Sequence, residues 1–256
     1  MSLAAVWHDI ECGYYTADLQ LWEELSHQGD SVLDLGCGNG RVTMHLARLG
    51  RKVTGLDTEK RFLEVLEARA VRCGLTVETV CADVRGFDLG VQFDAVLAPM
   101  QLVQLLEGSA ERKAMLAGAA RHLRPGGVFA ATLMNLEGEL VGDEYGPPRP
   151  DVREVNEWVF SSLSLAANVV ESGRAMQIDR LRTAVSPQGK QHTTIDEVRL
   201  ELVSPAFLER EVAAAGLDIQ ERRMILPTEH VGSVVVIARL PHGRRDSRRR
   251  TIRPTR

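Results

Sequence analysis

The sequence predicts an α/β fold built around a mostly parallel sheet. Between residues 31 and 133, short apolar runs typical of strands alternate with segments of helical periodicity. The first strand runs directly into a glycine-rich turn, as in βαβ units that bind ligands. At 256 residues, 44% of them hydrophobic and 26% charged, the chain can bury one sizeable core and a small accessory module.

The glycine turn follows the strand Ser-Val-Leu-Asp-Leu, which begins at Ser31. Gly36, Gly38 and Gly40 remove every Cβ on one side, and the helix that follows presents unpaired N–H groups at its start. We therefore expect a flat polar ligand against bare backbone. The spacing is Gly-x-Gly-x-Gly with Asp34 inside the strand, which differs from the Gly-x-Gly-x-x-Gly of dinucleotide sites and points away from a pyrophosphate.

The second strand, residues 52–57, ends in Asp57, at the strand end where open α/β sheets bind ligands. Asp57 follows Gly36 by 21 residues, close to the ~20 that separate the turn and the ribose ligand in nucleoside-binding βαβ units. We predict that the Asp57 carboxylate accepts hydrogen bonds from two ribose hydroxyls.

Further elements follow in a regular order. Pro125 and the two glycines after it end one helix and begin the fifth strand, while Ser204 and Pro205 begin a late helix that Gly216 ends. Two strands separated by a short loop close the pattern. The predicted helices cover residues 58–72, 109–123 and 204–216, and the predicted strands cover residues 76–81, 93–98, 128–133, 217–225 and 233–240.

This motif series resembles the class I S-adenosylmethionine-dependent methyltransferases over residues 30–135 and 203–241. The resemblance implies a seven-stranded, mostly parallel, Rossmann-like sheet with helices on both faces. It also implies S-adenosyl-L-methionine as cofactor and S-adenosyl-L-homocysteine as product. By this resemblance Asp83 reads the adenine amine and the Val84 backbone N–H bonds a ring nitrogen. The remaining cofactor residues that it implies are Asp34, Gly36, Gly38, Asn39, Gly40, Asp57, Ala98 and Pro99.

The segment after the fourth strand reads Ala98-Pro99-Met100-Gln101. The resemblance places these residues beside the transferable methyl group, so Met100 and Gln101 are assigned to substrate binding, with Gln101 also a catalytic candidate. Gln101 donates to the acceptor or the cofactor, or it starts a helix. Relatives that methylate exocyclic amines of DNA bases carry Asn/Asp-Pro-Pro-Tyr here, so the sequence disfavours that reaction.

The N-terminal segment, residues 1–29, is predicted to be a helical lid and holds Trp7, Tyr14, Tyr15 and Trp22, four of the twelve aromatic residues. Trp22 has helical spacing with apolar neighbours, which favours core packing. In related enzymes a tyrosine here closes over the methionine end of the cofactor. We assign Tyr14 to that role, with simple packing as the alternative, and Tyr15 to substrate binding.

Residues 137–202 form an insertion that is predicted to be an antiparallel substrate-binding flap. It opens with a loop, residues 137–151, and continues with a hairpin turn at Ser-Pro-Gln-Gly189. Small-molecule methyltransferases use such a flap to roof the active site. We assign His192, at the start of the last flap strand, to substrate binding. The predicted flap strands cover residues 155–165, 175–185 and 192–202.

Transfer of a methyl group from a sulfonium is an in-line displacement, so positioning and exclusion of water supply most of the catalysis. A general base is optional, and histidine is the residue type expected for it. His230 is our catalytic candidate, with His8 and His192 as alternatives, while His122 belongs to the scaffold. No metal site is assigned. Cys37 is interpreted as a small residue between glycines rather than a nucleophile.

The tail, residues 242–256, is predicted to be basic and disordered. It holds seven arginines and one aspartate, a formal charge of +6, so the rest carries −10 within a total of −4. The acidic body would repel phosphates, so we expect no nucleic-acid partner, although the tail leaves an RNA-binding alternative open. Four cysteines without a Cys-x-x-Cys pair, no signal peptide and no membrane segment favour the cytoplasm.

Three function classes follow from these features. The first, which we favour, is methyl transfer to an O or N atom of a small-molecule acceptor. The second is an RNA or protein methyltransferase that uses the basic tail. The third is a nucleotide-dependent oxidoreductase or a non-catalytic cofactor-binding module. The sequence leaves the acceptor and the oligomeric state open, a homodimer included.

Overall fold

A computed structural model describes residues 2–27, 29–134, 149–228 and 231–242 of the chain. The helices are α1 (Leu3–His8), α2 (Leu19–Ser26), α3 (Arg41–Arg48), α4 (Lys60–Arg72), α5 (Leu102–Leu105), α6 (Gly108–Arg121) and α7 (Pro205–Ala214). The strands are β1 (Ser31–Leu35), β2 (Lys52–Asp57), β3 (Glu78–Cys81), β4 (Phe93–Ala98), β5 (Leu123–Met134), β6 (Asp151–Val155), β7 (Trp158–Val170), β8 (Ala175–Val185), β9 (Gln191–Glu201), β10 (Asp218–Ile225) and β11 (Ser233–Arg239). Among the described residues, no helix is both long and apolar enough to cross a membrane.

The main sheet has seven strands in the order β10-β11-β5-β4-β1-β2-β3. Strand β11 is antiparallel to β10 and β5, and the other pairs are parallel. The predicted seven-stranded, mostly parallel sheet is therefore confirmed. The chain reverses its direction of travel across the sheet between β1 and β4, which places the ligand-binding crevice at the carboxyl ends of these central strands.

Apolar residues cover both faces of this sheet, as expected for parallel strands that are buried on both sides. One face packs Val96 and Phe129 against α6 and α7, and the other packs Leu97 and Ala130 against α2 and α3. Trp22 of α2 is fully buried in the second cluster, so its predicted core role is confirmed.

Several helix boundaries follow from local chemistry. Ser204 caps α7 by accepting a hydrogen bond from Phe207 N–H at 3.2 Å, and Pro205 takes the first helical position, as predicted. Strand β5 begins earlier than predicted, at Leu123. The Pro-Gly-Gly segment belongs to the strand because it pairs with Leu240: Gly126 N–H donates to the Leu240 carbonyl at 2.7 Å.

The flap is a separate antiparallel sheet in the order β6-β7-β8-β9, inserted between β5 and α7. The hairpin between β8 and β9 is confirmed, with Gly189 N–H donating to the Ser186 carbonyl at 2.8 Å. The single strand predicted over residues 155–165 is wrong, because Asn156 and Glu157 make a tight turn between β6 and β7 with φ of 50° and 67°. A two-residue hairpin needs positive φ at both positions, and here no glycine signals it.

The N-terminal segment contains two features that were not predicted from the sequence, α1 and a π-helical turn at Asp9–Gly13. These precede the predicted helix that contains Trp22. Together they lie between the main sheet and the flap, because Trp7 packs edge-on against Phe160 of β7 at 5.2 Å between ring centroids. The loop predicted at residues 137–151 lies almost entirely outside the described residues, as do residues 243–256 of the tail.

Candidate active site

The glycine turn lies at the carboxyl end of β1, and Gly36, Gly38 and Gly40 all have positive φ, as an L side chain rarely does. A Cβ on Gly36 would lie 2.9 Å from Leu102, and one on Gly38 would lie 2.3 Å from the His8 ring. A side chain at Gly36 or Gly38 would therefore clash with Leu102 or His8. Protein side chains occupy the space beside these two glycines, so contact of a ligand with the backbone of the turn stays a prediction.

Asp57 is oriented by two backbone donors beside this turn. Its Oδ2 accepts from Gly38 N–H at 2.8 Å and its Oδ1 accepts from Glu59 N–H at 2.9 Å. The carboxylate is half-buried at the end of β2. Each oxygen keeps a further lone pair, which is what two vicinal hydroxyls need. The arrangement fits the predicted ribose contact.

Asp34 is 1% exposed and holds an unpaired acceptor. Its Oδ2 accepts from the Thr43 hydroxyl at 2.7 Å, whereas its buried Oδ1 has no partner in the described part of the chain. Burial raises the pKa of this carboxyl to about 6, although the Thr43 bond and Arg41 oppose the change. A buried acceptor without a donor fits a ligand that brings one, such as an ammonium group.

Asp83 and Val84 follow β3 at the same edge, where Ala82 N–H donates to the Asp57 carbonyl at 3.0 Å. The Asp83 carboxylate accepts from Arg85 Nε at 2.9 Å, and this bond lowers its pKa. An adenine amine at Asp83 must therefore share the carboxylate with the Arg85 guanidinium. Val84 is buried in the main core.

Asn39 is nearly fully buried and faces the N-terminal segment with its side chain. Its Nδ2 donates to the Ala5 carbonyl at 2.7 Å and to Asp9 Oδ1 at 2.9 Å. Asp9 also pairs with Arg69 of α4. These contacts hold α1 over the glycine turn. The Asn39 side chain therefore binds the N-terminal segment in this structure.

His8 lies at the end of α1 and reaches the glycine turn and α4. Its ring lies 4.6 Å from the Phe62 ring, centroid to centroid, and its buried Nδ1 has no partner within the described residues. Burial lowers the pKa of His8, and the neighbouring Asp9 and Asp57 carboxylates oppose that effect. The structure thus places one of the three histidines considered as a base directly against the predicted cofactor turn.

The acceptor side begins where β4 ends. Ala98 is fully buried and pairs with Ala131 of β5, Pro99 follows, and Met100 has a φ of 55°, a sparsely populated conformation for a non-glycine residue. The Gln101 carbonyl accepts from Gln104 N–H at 2.8 Å. Gln101 therefore precedes α5 as the residue that starts the helix, one of its two predicted roles.

Thr132 was not predicted as a site residue. It follows Ala131, which pairs with the end of β4, and it is 2% exposed with a hydroxyl that has no partner among the residues that the structure describes. Alternation along β5 gives it the same face as Ala130, in the cluster against which Tyr15 packs. Its only signal in the sequence is a hydroxyl in an apolar strand, close to the strand's carboxyl end.

Contacts with Arg41 of α3 and Ser233 of β11 hold Tyr15 beside Thr132. Its carbonyl accepts from Arg41 Nη1 at 2.9 Å, and the same guanidinium lies 5.3 Å from the centre of its ring. Burial raises the pKa of the Tyr15 phenol, and a hydrogen bond with the Ser233 side chain opposes this. Ser233 pairs with Met134 in the β11–β5 ladder, so Tyr15 and Thr132 both lie at the carboxyl end of β5.

Two other predicted residues, Tyr14 and His192, lie on the flap side of the molecule. Tyr14 is 57% exposed, with the Arg153 guanidinium of β6 at 4.0 Å from its ring centre, so it contacts the flap. His192 is on β9, with its ring 6.4 Å from that of Trp158. His230 lies outside the described residues.

The scaffold interpretation of His122 agrees with its contacts, because its Nε2 accepts from Leu89 N–H at 2.8 Å and its ring stacks on Phe87. Cys37 is buried, and burial raises the pKa of its thiol, which disfavours a thiolate nucleophile. No group of three histidine, cysteine, aspartate or glutamate side chains that could hold a metal ion occurs in the described ranges.

Buried polar contacts hold the flap over this edge. Glu11 of the π-helical turn accepts from Arg182 Nε at 2.7 Å and from the Ser162 hydroxyl at 2.8 Å. Gln104 of α5 accepts from Met134 N–H at 2.6 Å and donates to the Glu201 carbonyl at 3.1 Å, joining the two ends of the flap insertion. The N-terminal segment and the flap together cover the carboxyl end of the central strands.

A model of a methyltransferase domain family matches residues 32–127, which contain the glycine turn, Asp57 and Asp83. Among solved structures, the sugar N-methyltransferase KedS8 from Streptoalloteichus sp. aligns with a TM-score of 0.73 at 21% identity, covering 93% of this chain and 92% of that chain. S-adenosylmethionine-bound CalS10, an amino pentose methyltransferase from Micromonospora echinaspora, aligns with a TM-score of 0.72 at 20% identity and covers 94% and 97%. At these identities the likenesses establish the fold.

Curated relatives match part of the chain. The cypemycin N-terminal methyltransferase of Streptomyces sp. is 38% identical over 99 residues, 39% of this chain and 40% of that protein. A ubiquinone biosynthesis O-methyltransferase of Methylobacterium nodulans is 36% identical over 109 residues, 41% of each. The chain thus spans about two fifths of the length of these two relatives.

The sheet order, the glycine turn and the acid after β2 define a class I methyltransferase fold. Residues 32–127 match the methyltransferase domain family, and the chain shares its fold with an S-adenosylmethionine-bound methyltransferase, so the predicted resemblance is confirmed for the fold and for this matched segment.

Proposed function

We propose that this protein transfers a methyl group from S-adenosylmethionine to an O or N atom of a small-molecule acceptor. The observation that carries the proposal is the cover over the carboxyl edge, where the N-terminal segment and the flap are joined by the Glu11–Arg182 pair. A covered edge suits a small acceptor, since in-line displacement depends on positioning and exclusion of water.

The cofactor, when bound, supplies an electrophilic methyl group on a sulfonium. Asp57 is proposed to accept the ribose hydroxyls, and the unpaired Oδ1 of Asp34 to accept from the methionine ammonium. Backbone groups of Gly36, Gly38 and Gly40 contact the methionine portion. Asp83 and Val84 are proposed to contact adenine, while Asn39, Ala98, Pro99 and Tyr14 complete the predicted cofactor set.

The acceptor is proposed to lie beside Met100, Gln101 and Tyr15. Thr132 adds a hydroxyl that has no hydrogen-bond partner among the described residues and can orient the nucleophile by one hydrogen bond. Well-oriented intramolecular reactions recover about 7–11 kcal/mol of barrier from positioning alone, so the mechanism needs no base. If deprotonation is required, His230 remains the predicted base, and His192 remains a predicted acceptor contact.

The domain division is part of the proposal: a lid at residues 1–29, a catalytic domain at 30–136 and 203–241, a flap at 137–202 and a tail at 242–256. The names of the relatives, which include O- and N-methyltransferases, support acceptors of both types. A cytoplasmic location is proposed from the four free cysteines.

The test uses S-adenosylmethionine with a deuterated methyl group, incubated with the full chain and fractionated cell extract. Mass spectrometry should find the label in the fraction of small molecules, on oxygen or nitrogen. Label confined to RNA or protein would contradict the proposal and support the alternative that uses the basic tail. Deleting residues 243–256 should leave small-molecule labelling intact, and a collapse of labelling would assign the tail a role in turnover.

A further inference from the structure

The flap contains a hollow that includes His192, a predicted acceptor contact. Phe160 of β7, Ala184 of β8 and His192 of β9 are paired in one cross-strand row, so their side chains share one face. Neighbouring strands are about 4.8 Å apart, which separates the backbones of Phe160 and His192 by roughly 10 Å. On the sheet surface, the small side chain of Ala184 lies between these two residues and forms the floor of the hollow.

Aromatic rings and one helix enclose this hollow. The Trp158 ring lies 6.3 Å from the Phe160 ring and 6.4 Å from the His192 ring, inclined by 23° and 28° respectively. Leu3 and Val6 of α1 line one side of it, and the exposed Leu3 and His192 side chains leave it partly open to solvent. The cavity measures about 380 Å³, within the range of pockets that hold small molecules.

The lining restricts what can bind. Among the described residues, the lining contains no lysine, arginine, aspartate or glutamate side chain, so a phosphate or another ionic group would lose its hydration without a partner. The π faces of Trp158 and Phe160 favour another flat ring, and aromatic pairs contribute about 0.5–1.5 kcal/mol beyond the area they bury. Asn156 and His192 add hydrogen-bonding groups for one polar substituent.

Helix α1 separates the hollow from the cofactor turn. Leu3 and Val6 face the hollow, whereas the Ala5 carbonyl and the His8 ring face Asn39 and Gly38. A helix is about 10–12 Å across with its side chains. One end of an acceptor in the hollow can therefore lie about one helix width from the turn.

We propose that this hollow binds a neutral planar aromatic ring of the methyl acceptor, remote from the atom that is methylated. This inference rests on the proposed function and narrows its acceptor to molecules that carry such a ring.

The experiment titrates the full chain with 2-naphthol, a neutral planar probe, and measures binding by calorimetry with S-adenosylhomocysteine present. Ala184→Leu fills the hollow and should weaken 2-naphthol binding at least tenfold, with affinity for S-adenosylhomocysteine unchanged. Ala167→Leu, on the exposed part of β7, is the matched control and should bind like the wild type. Ala184→Val, a smaller filling, should give an intermediate loss and serves if the leucine variant does not fold.

Naphthalene-2-sulfonate, the charged counterpart, should bind more weakly than 2-naphthol. Equal 2-naphthol affinity in the wild type and both Ala184 variants would overturn the inference, as would no 2-naphthol binding by a protein that S-adenosylhomocysteine stabilises. Absence of S-adenosylhomocysteine binding, by contrast, would refute the proposed function itself.

Discussion

The glycine turn and the flap contribute different kinds of chemical group to the predicted ligand site. At the turn, the polar groups are backbone N–H groups and two oriented carboxylates. The hydrogen-bonded residues Gly38, Asp57 and Glu59 are separated by fewer than 22 positions in the sequence. In the flap, the surface consists of side chains from four strands, held in place by partners such as Glu11 and Arg182, 171 residues apart. The difference indicates that donor chemistry is encoded locally, whereas acceptor chemistry depends on long-range packing.

The largest expected effect comes from breaking the buried ion pairs that join the helices of the main sheet to the end of the flap. Arg112 of α6 is 4% exposed and pairs with Glu211 of α7, at 2.8 Å from Nε to Oε2, and with Glu201 at the end of β9. Arg112→Met leaves the buried Glu211 carboxylate without its cationic partner and with the Ser109 hydroxyl as its remaining side-chain donor, so it should lower the free energy of unfolding by about 3–5 kcal/mol. Urea unfolding measures this. Arg199→Met breaks the exposed pair with Glu171 and should lower the free energy of unfolding far less than Arg112→Met; an equal loss in both variants would contradict this prediction.

The second prediction concerns Asp34 at the turn. Its pKa is raised from 3.8 to about 6, so the folded state holds this proton more tightly than the unfolded state. The resulting stabilisation is complete below pH ~4 and is lost as the pH rises through ~6, a change of up to about 3 kcal/mol. Without ligand, the stability of the wild type relative to Asp34→Asn should fall across this interval. Parallel stability curves from pH 4 to 7 would refute the burial argument.

The third prediction tests the ribose contact. Asp57→Asn retains an acceptor for Gly38 N–H but loses the charge, and hydrogen bonds to charged groups contribute about 1.5–3 kcal/mol. Affinity for S-adenosylhomocysteine should fall about 10- to 100-fold by calorimetry. Glu64→Gln, on the exposed surface of α4, is the control and should leave the affinity unchanged. An unaltered affinity in Asp57→Asn would remove this residue from the site.

The smallest effect is expected at Thr132. Thr132→Val replaces a buried hydroxyl without a partner, so the ligand-free protein should gain about 1 kcal/mol and a Tm about 2–4 °C higher. Thr54→Val is the matched control, because the Thr54 hydroxyl donates to Glu78 at 3.0 Å and its removal should destabilise. A lower Tm in Thr132→Val would show that its hydroxyl is satisfied in the folded protein.

The same contrast explains what could be predicted from sequence. The main sheet, the turn and the Asp57 position follow from short runs whose chemistry is local, such as glycines that need positive φ. The hairpin at Asn156 was missed because no glycine marks it. The contacts of Tyr14 with Arg153 and of Asn39 with Ala5 depend on how separate elements pack, which no local pattern reports.

Differential scanning calorimetry of the full chain with S-adenosylhomocysteine and, separately, with NAD tests most directly whether S-adenosylmethionine is the cofactor. At 100 times its dissociation constant, a ligand that binds only the folded state stabilises it by about 2.7 kcal/mol. We expect S-adenosylhomocysteine to raise the Tm by several degrees and NAD to leave the Tm unchanged. A rise with NAD and none with S-adenosylhomocysteine would contradict this expectation.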